Sequence, residues 1–247
     1  MQVSVTSSRR KNKSKRKLNS AFATILIFLL AIISMAFLIH LKKKNIVFEG
    51  QIFYFVSAES SKNASILEQK KELLGNLGGA SVIFFDGSQY NLIANVYLDL
   101  SSANEIEANL AAYYSNVKTI KVKTNKMKYA VIKKIKSNSL ACKTLTFMYD
   151  FCGSFYEKQM YFLSGKISET EFLTNMVSKR LEIDRICKEI KNDDSFLQEI
   201  QNYVELFYMQ ITNFLNNYYL SKSKQTYLLE FWVEFVINYV EFYNSLE

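Results

Sequence analysis

The sequence predicts an α+β protein with an N-terminal transmembrane helix, a small β-α-β-β-α-β domain with a four-stranded antiparallel sheet, and a C-terminal all-α helical bundle. Residues 21–40 form an uninterrupted apolar run. Strand-like and helix-like segments then alternate, and no strand pattern occurs after residue 139. We therefore divide the chain into five parts: a basic cytoplasmic tail (1–20), a transmembrane helix (21–41), an α/β domain (51–124), a connector (125–138) and a helical domain (139–247).

The apolar run is long enough to cross a membrane once. Twenty helical residues at about 1.5 Å each span about 30 Å, the thickness of the hydrocarbon core. Seven basic and no acidic residues precede the run, whereas three lysines, Lys42 to Lys44, follow it. This asymmetry predicts a single-pass protein of the cell membrane, with a cytoplasmic N-terminus and an extracytoplasmic C-terminal part.

Two other interpretations concern the same N-terminal segment. A cleaved secretory signal also has a basic start, but its apolar region usually has about 7 to 15 residues and ends at small residues. Here the run is longer, and the Lys42 to Lys44 triplet follows it. The basic tail also suits acidic lipid headgroups, an interpretation that is compatible with an anchor.

Composition argues against nucleic-acid binding and against the common catalytic systems. The chain carries a formal charge of +8, yet beyond residue 44 there are 21 basic and 23 acidic residues. The only histidine is His40, and Cys142, Cys152 and Cys187 have neither CxxC nor metal-ligand spacing. No Walker, GxGxxG or Gly-x-Ser-x-Gly sequence occurs. We expect no enzyme activity, no cofactor, no metal and no nucleic-acid partner.

The first half of the α/β domain contains two strands and a helix. Residues 52–57 are rich in aromatic and β-branched residues, as is typical of a strand. Residues 61–76 have helical spacing and end near Gly78 and Gly79. Residues 81–85 form the second predicted strand, and Asp86-Gly87 is a hairpin signal.

The second half of the domain repeats the alternation. Residues 90–98 are predicted as the third strand, residues 102–114 as a helix, and residues 117–123 as the fourth strand. The resulting order is β-α-β-β-α-β.

Four helices are predicted in the C-terminal part, at residues 140–163, 168–191, 194–219 and 225–246. Ser168 followed by Glu171 is a capping box. The last helix is apolar nearly all round, so it must be buried on several sides. Its polar line contains glutamates instead of lysines, which disfavours contact with a bilayer. A bundle core is the default interpretation, and a partner-binding groove is the alternative.

Strand alternation assigns the sheet residues to two faces. Residues predicted to face the two helices of the domain are Tyr54, Val56, Val82, Phe84, Leu92 and Ala94. Residues predicted on the opposite face are Phe53, Phe55, Ile83, Phe85, Asn91, Ile93 and Asn95. Because this second face is mostly apolar, we expect the C-terminal helices to cover it, so that residues 45–247 form one compact unit.

The segments YFVSA (54–58) and YNLIANVY (90–97), followed by a helix containing Ala108, resemble the sporulation-related repeat (SPOR) domain of bacterial envelope proteins. The resemblance covers residues 51–124. It implies binding to peptidoglycan, and a role at sites of cell division or sporulation. Phe55 stands where the family usually has Gln, and Asn91 where it has Arg. The candidate glycan or partner face implied by the resemblance, with two outward lysines, is Phe53, Phe55, Asn91, Ile93, Asn95, Lys121 and Lys123.

Two functional hypotheses follow from these observations. In the first, a bitopic envelope protein binds peptidoglycan, or acts with envelope or division proteins, through its SPOR-like domain. In the second, the ectodomain is structural or binds a protein partner, and it binds no glycan because the helices cover the sheet face. The exposure of Phe53, Phe55, Ile83 and Ile93 distinguishes the two: exposed side chains favour the first hypothesis, and buried ones the second.

Overall fold

A computed structural model describes residues 47–125, 127–128, 138–192 and 198–245. The predicted cytoplasmic tail and the predicted transmembrane helix lie outside these residues. Within the described ranges, no helix is both long enough and apolar enough to cross a membrane. Val47–Glu247 forms one compact unit, as the sequence predicts.

The described elements comprise six strands, six α-helices and one short 3-10 helix. Their order is β1 (Val47–Phe48), β2 (Ile52–Ser61), α1 (Ala64–Asn76), β3 (Val82–Phe85), β4 (Tyr90–Tyr97), α2 (Leu100–Leu110), β5 (Lys118–Lys123), β6 (Met127–Lys128), α3 (Asn138–Leu163), α4 (Glu169–Lys191), α5 (Gln198–Asn217), the 3-10 helix (Tyr218–Leu220) and α6 (Lys224–Ser245).

The main sheet has four antiparallel strands in the order β3-β4-β2-β5. Each helix of the β-α-β-β-α-β segment therefore crosses from one strand to a strand that is not its neighbour, the arrangement known as the split β-α-β. The predicted α+β class and the four-stranded antiparallel sheet are confirmed. The described residues are nevertheless mostly helical.

Side-chain caps define the starts of three helices. The Oδ1 atom of Asn63 accepts a hydrogen bond from the Ser65 amide, and Oδ1 of Asp99 accepts one from the Ser102 amide. The Ser168 hydroxyl oxygen accepts one from the Glu171 amide at 3.1 Å, as the capping box predicts.

One face of the sheet packs against α1 and α2. Leu67 and Leu74 of α1 are fully buried there against Leu92 of β4. The remaining members of this core are Val56, Ala58, Ala94, Tyr97, Ala103, Leu110 and Tyr114. This module therefore has an apolar core of its own.

The predicted faces of β3 are wrong. Ile83 pairs with Leu92 and packs on the α1–α2 core, while Phe84 pairs with Asn91 on the opposite face. The loop at residues 86–89 has four residues, so odd positions of β3 pair with even positions of β4. Because antiparallel partners share a face, Ile83 must accompany Leu92.

Two register shifts interrupt the pairing of β2 with β4. Val56 pairs with Asn95, the next partners are Ser57 and Ile93, and Glu59 then pairs with Leu92. Strict alternation fails across such bulges. As a result, Asn95 lies opposite Val56, a residue of the α1–α2 core.

A second, two-stranded sheet continues the β2–β5 ladder. β1 pairs with β6, which lies inside the predicted connector, and neither strand is predicted from the sequence. Between the two sheets, the Thr124 amide donates to the Gln51 carbonyl oxygen at 3.0 Å. Only glycine fits at position 50, because a Cβ atom there would clash with the Thr124 carbonyl oxygen.

The C-terminal half contains the predicted four helices, with α3 to α6 joined by an aromatic core. The Phe155 ring stacks on Trp232 at a centroid distance of 5.2 Å. The ring centroid of Phe235 of α6 lies 4.7 Å from that of Phe151 of α3 and 4.8 Å from that of Phe207 of α5. α6 is thus buried on several sides, as its composition predicts.

α6 also crosses the second face of the sheet, which confirms that the helical half covers this face over β2 and β4. The indole Nε1 of Trp232 donates to the Val96 carbonyl oxygen at 2.9 Å. Further along α6, the Tyr239 ring meets Phe53 edge to face at 5.9 Å. At its end, Asn244 Oδ1 accepts a hydrogen bond from the amide of Asn125, which follows β5.

Candidate functional site

The seven candidate residues are distributed over buried and exposed positions. Four of them, Phe53, Phe55, Asn91 and Ile93, are completely buried, and Asn95 is 6% exposed. Lys121 and Lys123 are exposed. A sugar polymer therefore cannot contact the five residues that the resemblance places on the sheet face without displacing α6 or the loops.

α6 leaves part of the second face open, and this part forms a cleft of about 770 Å³ between the sheet and the helix. We call it the sheet–helix cleft. Phe55, Phe84, Ile120 and Val122 contribute its sheet side. Its helix side is lined by Ile237, Val240, Glu241, Asn244 and Ser245 of α6, with Tyr203 of α5.

The cleft follows the outer edge of β5. Four consecutive residues, from Ile120 to Lys123, line it. Side chains of a strand alternate between its two faces, so consecutive residues share one cleft only where the cleft runs along the strand edge. In the described part of the chain, β5 pairs with β2 alone, so no strand occupies this edge.

The side chains of β5 alternate in chemistry as well as in direction. Ile120 pairs with Phe55 and Val122 with Phe53, which places both apolar side chains on the second face. Lys121 pairs with Tyr54 and therefore points to the opposite face, as does Lys123. Neither lysine makes an ion pair with any residue that the structure describes.

Asn91 is a buried structural residue that holds the loop at residues 86–89. Its amide Nδ2 donates to Asp86 Oδ2 at 2.9 Å, and its Oδ1 accepts from the Ser60 hydroxyl at 2.8 Å. Asp86 Oδ1 also accepts bonds from the Ser88 hydroxyl and from the amides of Ser88 and Gln89. These bonds, led by the one from the Ser88 hydroxyl, hold the pKa of Asp86 well below its usual range.

Asn95 does not border the sheet–helix cleft. Its Oδ1 accepts a hydrogen bond from the Val96 amide at 2.8 Å. The residue lines a separate cavity of about 390 Å³ with Tyr97, Asn109 and Gln225. The structure therefore brings only three of the seven candidates, Phe55, Lys121 and Lys123, to one site.

Two carboxylates, Asp86 and Glu241, line the cleft, and Asp86 is unsuited to be the general acid of a glycosidase. A glycosidase needs one carboxyl group that is protonated near neutral pH, which requires a raised pKa. The pKa of Asp86 is lowered, because its oxygens accept the bonds that fix the loop. The role of Asp86 is thus to stabilise the loop between β3 and β4.

Metal centres and reactive cysteines are two further kinds of catalytic site. No three His, Cys, Asp or Glu side chains in these ranges are placed to hold a metal ion. All three cysteines are free thiols. Burial raises the pKa of Cys152 well above its usual value and that of Cys187 to about 11, so neither is an activated nucleophile.

Sequence reasoning missed the helix side of the cleft. Glu241 belongs to the polar line of α6, and this line could have predicted the position of the cleft. A helix that is buried on its other sides must expose its polar line. Tyr203 gives no such signal. Its place in the cleft depends on how α5 packs against α6.

Comparisons of the chain with protein-family models, with curated proteins and with solved structures found no match.

Proposed function

We propose that this chain is a single-pass membrane protein whose extracytoplasmic α+β unit binds a protein partner, and that the sheet face does not bind glycan. The membrane anchor rests on the apolar run at residues 21–40 and on the basic residues before it. Partner binding rests on the sheet–helix cleft and on the outer edge of β5 beside it, which no strand of the described residues occupies.

One observation carries this proposal: α6 occupies the sheet face that a SPOR-like module would use for glycan. Phe53, Phe55 and Ile93 are completely buried there. The β-α-β-β-α-β order is that of a SPOR-like module, but in this chain the face is an internal packing surface. This supports the partner-binding hypothesis over the peptidoglycan hypothesis.

A second candidate function is peptidoglycan binding at the cleft, within a division or sporulation complex. The observation in its favour is that Phe55, Lys121 and Lys123, three residues implied by the SPOR resemblance, border the same cleft. Two exposed lysines at one cleft suit a glycan with acidic substituents. The mostly apolar lining favours a protein ligand instead.

A sedimentation assay separates the two functions. Purified fragment 45–247 is mixed with intact and with amidase-treated peptidoglycan sacculi at physiological salt, and bound protein is measured in the pellet. We expect the fragment to stay in the supernatant in both cases. Retention that disappears in the variant K121A/K123A would instead establish the second candidate. Asn91 and Asn95 are unsuitable for this test, because both are buried.

Site-specific photo-cross-linking tests partner binding in cells. A photoreactive amino acid replaces Lys121 in one strain and Lys62, which is exposed away from the cleft, in another. We expect a discrete cross-linked species from position 121 and none from position 62. Equal cross-linking from both positions would contradict a partner site at the cleft.

A topology reporter tests the anchor. A reporter that is active only outside the cytoplasm is fused after Glu247. The seven-to-three basic asymmetry predicts activity. An inactive fusion, together with activity of a reporter that works only in the cytoplasm, would reverse the orientation.

A further inference from the structure

We propose that the sheet–helix cleft binds an extended peptide segment of the partner, which adds to the outer edge of β5 as a fifth strand. The inferred segment has apolar residues at alternate positions and acidic residues between them. This inference rests on the proposed partner-binding function and specifies the chemistry of the segment that is bound.

The edge of β5 supplies the main-chain part of this recognition. An edge strand presents unpaired N–H and C=O groups, and an added strand pairs with them independently of its sequence. β5 has six residues, Lys118–Lys123, and four of them border the cleft. A segment of about six residues would therefore pair along the whole strand.

The cleft supplies the apolar half of the specificity. Side chains of an added strand alternate between the two faces of the sheet. Those on the second face would enter the cleft beside Ile120 and Val122, with Ile237 and Val240 of α6 on the other side. Glu241 on the α6 side disfavours acidic side chains at these positions. Apolar residues are therefore expected at every second position.

Lys121 and Lys123 supply the charged half of the specificity. Both are exposed, both lie on the opposite face of β5, and neither has an ion-pair partner among the described residues. Opposite charges that face each other across two strands stabilise the pair. An added strand with Glu or Asp at the intervening positions would meet these two lysines.

The same lysines argue against a second copy of this chain as the occupant. Antiparallel pairing of β5 with another β5 would bring lysines close to lysines across the two strands, and like charges in cross-strand positions are destabilising. Lysines on edge strands commonly prevent such self-pairing. The two lysines therefore disfavour pairing with a second copy and favour pairing with an acidic segment.

Peptide binding to the full-length protein in detergent micelles tests this inference. The probe is a fluorescein-labelled eight-residue peptide of alternating Val and Glu, and binding is followed by fluorescence anisotropy. Two control peptides are used: one has the same residues in blocks, with the Val residues before the Glu residues, and the other has Lys in place of Glu. We expect saturable binding of the alternating acidic peptide and at least tenfold weaker binding of both controls.

Charge reversal locates the site. The variant K121E/K123E should bind the acidic peptide at least tenfold more weakly than the natural protein, and should bind the Lys-containing peptide more tightly than the natural protein does. The matched control is K62E/K222E, which changes two exposed lysines away from the cleft and gives the same net charge. Its affinity should stay within twofold of that of the natural protein. Circular dichroism checks that both variants are folded.

Hydrogen exchange gives an independent readout. Bound peptide should slow the exchange of the backbone amides of β5, since an added strand accepts hydrogen bonds from its outer edge. Absence of binding, equal binding of the alternating and block peptides, or an equal loss of affinity in K62E/K222E would each overturn the inference. If it fails while position 121 still cross-links a partner in cells, partner binding stands and only the strand-addition mode is lost.

Discussion

The indole Nε1 of Trp232 and the carbonyl oxygen of Val96 are joined by a buried hydrogen bond of 2.9 Å, across 136 positions of sequence. Trp232 is also the only tryptophan of the chain. It lies where α6 crosses β4, and its ring contacts Phe155 of α3. This residue thus links the sheet to the helical core.

The variant W232F should lower the free energy of unfolding by about 2–4 kcal/mol. Phenylalanine keeps an aromatic ring but leaves the buried Val96 carbonyl without its donor and creates a small cavity. Urea denaturation followed by far-UV circular dichroism measures the change. The control is Y219F, at an exposed ring, which should stay within about 0.5 kcal/mol of the natural protein.

Truncation after Lys136 should produce a fragment that aggregates or binds a hydrophobic dye. Removal of α3 to α6 uncovers Phe53, Phe55, Ile93 and Val96, all of which are completely buried in the natural protein. Each large apolar side chain loses about 1.5–3 kcal/mol of burial free energy when it is exposed. Dye fluorescence and light scattering of fragment 45–136 are compared with those of 45–247. A soluble, monomeric and cooperatively folding fragment would show that the sheet face tolerates water.

The sequence predicts the elements better than their relative positions. Local patterns are enough for the β-α-β-β-α-β order, for the Ser168 cap and for the burial of α6, because each follows from residues near in sequence. The face on which Ile83 lies could also have been predicted from the sequence. Any two- or four-residue loop after Phe85 pairs odd positions of β3 with even positions of β4, so the hairpin signal itself implied the observed face.

Other features depend on packing that has no local signal. The bulges opposite Val56 move Asn95 off the face that alternation assigns to it. β1 and β6 have two residues each, too few for a strand pattern. The cleft exists because α6 covers Phe53 and not the outer part of β5, and this depends on the angle at which the helix crosses the sheet.

Glu59 should stabilise the fold at neutral pH and lose this effect in acid. The residue is 6% exposed, and it accepts bonds from Lys70 Nζ at 2.7 Å and from Asn116 Nδ2 at 2.9 Å. Burial opposes the charged form, but these hydrogen bonds outweigh it, so the pKa of Glu59 is lowered. A lowered folded-state pKa contributes stability above the unfolded-state pKa, and this contribution disappears as the pH falls through the folded-state value.

The variant E59Q tests this contribution. It should be less stable than the natural protein by about 1–2 kcal/mol at pH 7, because the charge-assisted bond to Lys70 is lost. The difference should shrink as the pH falls below the ordinary glutamate pKa of 4.5. The control E68Q removes the exposed pair with Lys71 and should change stability by about 0.5 kcal/mol or less. A difference that stays constant down to pH 3 would assign the effect of E59Q to packing.

Glu230 should have the opposite effect, since its charge opposes folding. It is half-buried on the polar line of α6. Burial raises its pKa, the neighbouring carboxylate of Glu234 raises it further, and Lys71 opposes the shift. When the folded-state pKa of an acid exceeds the unfolded-state value, the folded protein is penalised above both values. The penalty disappears as the pH falls through the folded-state pKa.

The variant E230Q should therefore be more stable than the natural protein at pH 7, by about 0.5 kcal/mol, which corresponds to a rise in Tm of about 1–2 °C. This gain should vanish in acid, where Glu230 is protonated in both states and resembles glutamine. Differential scanning calorimetry of fragment 45–247 from pH 4 to pH 8 measures it. The matched control is E241Q, at an exposed position on the same polar line, which should change the stability at pH 7 less than E230Q does. Destabilisation by E230Q at pH 7 would mean that Glu230 has a favourable ionic partner, and would contradict burial and the Glu234 carboxylate as the causes of its raised pKa.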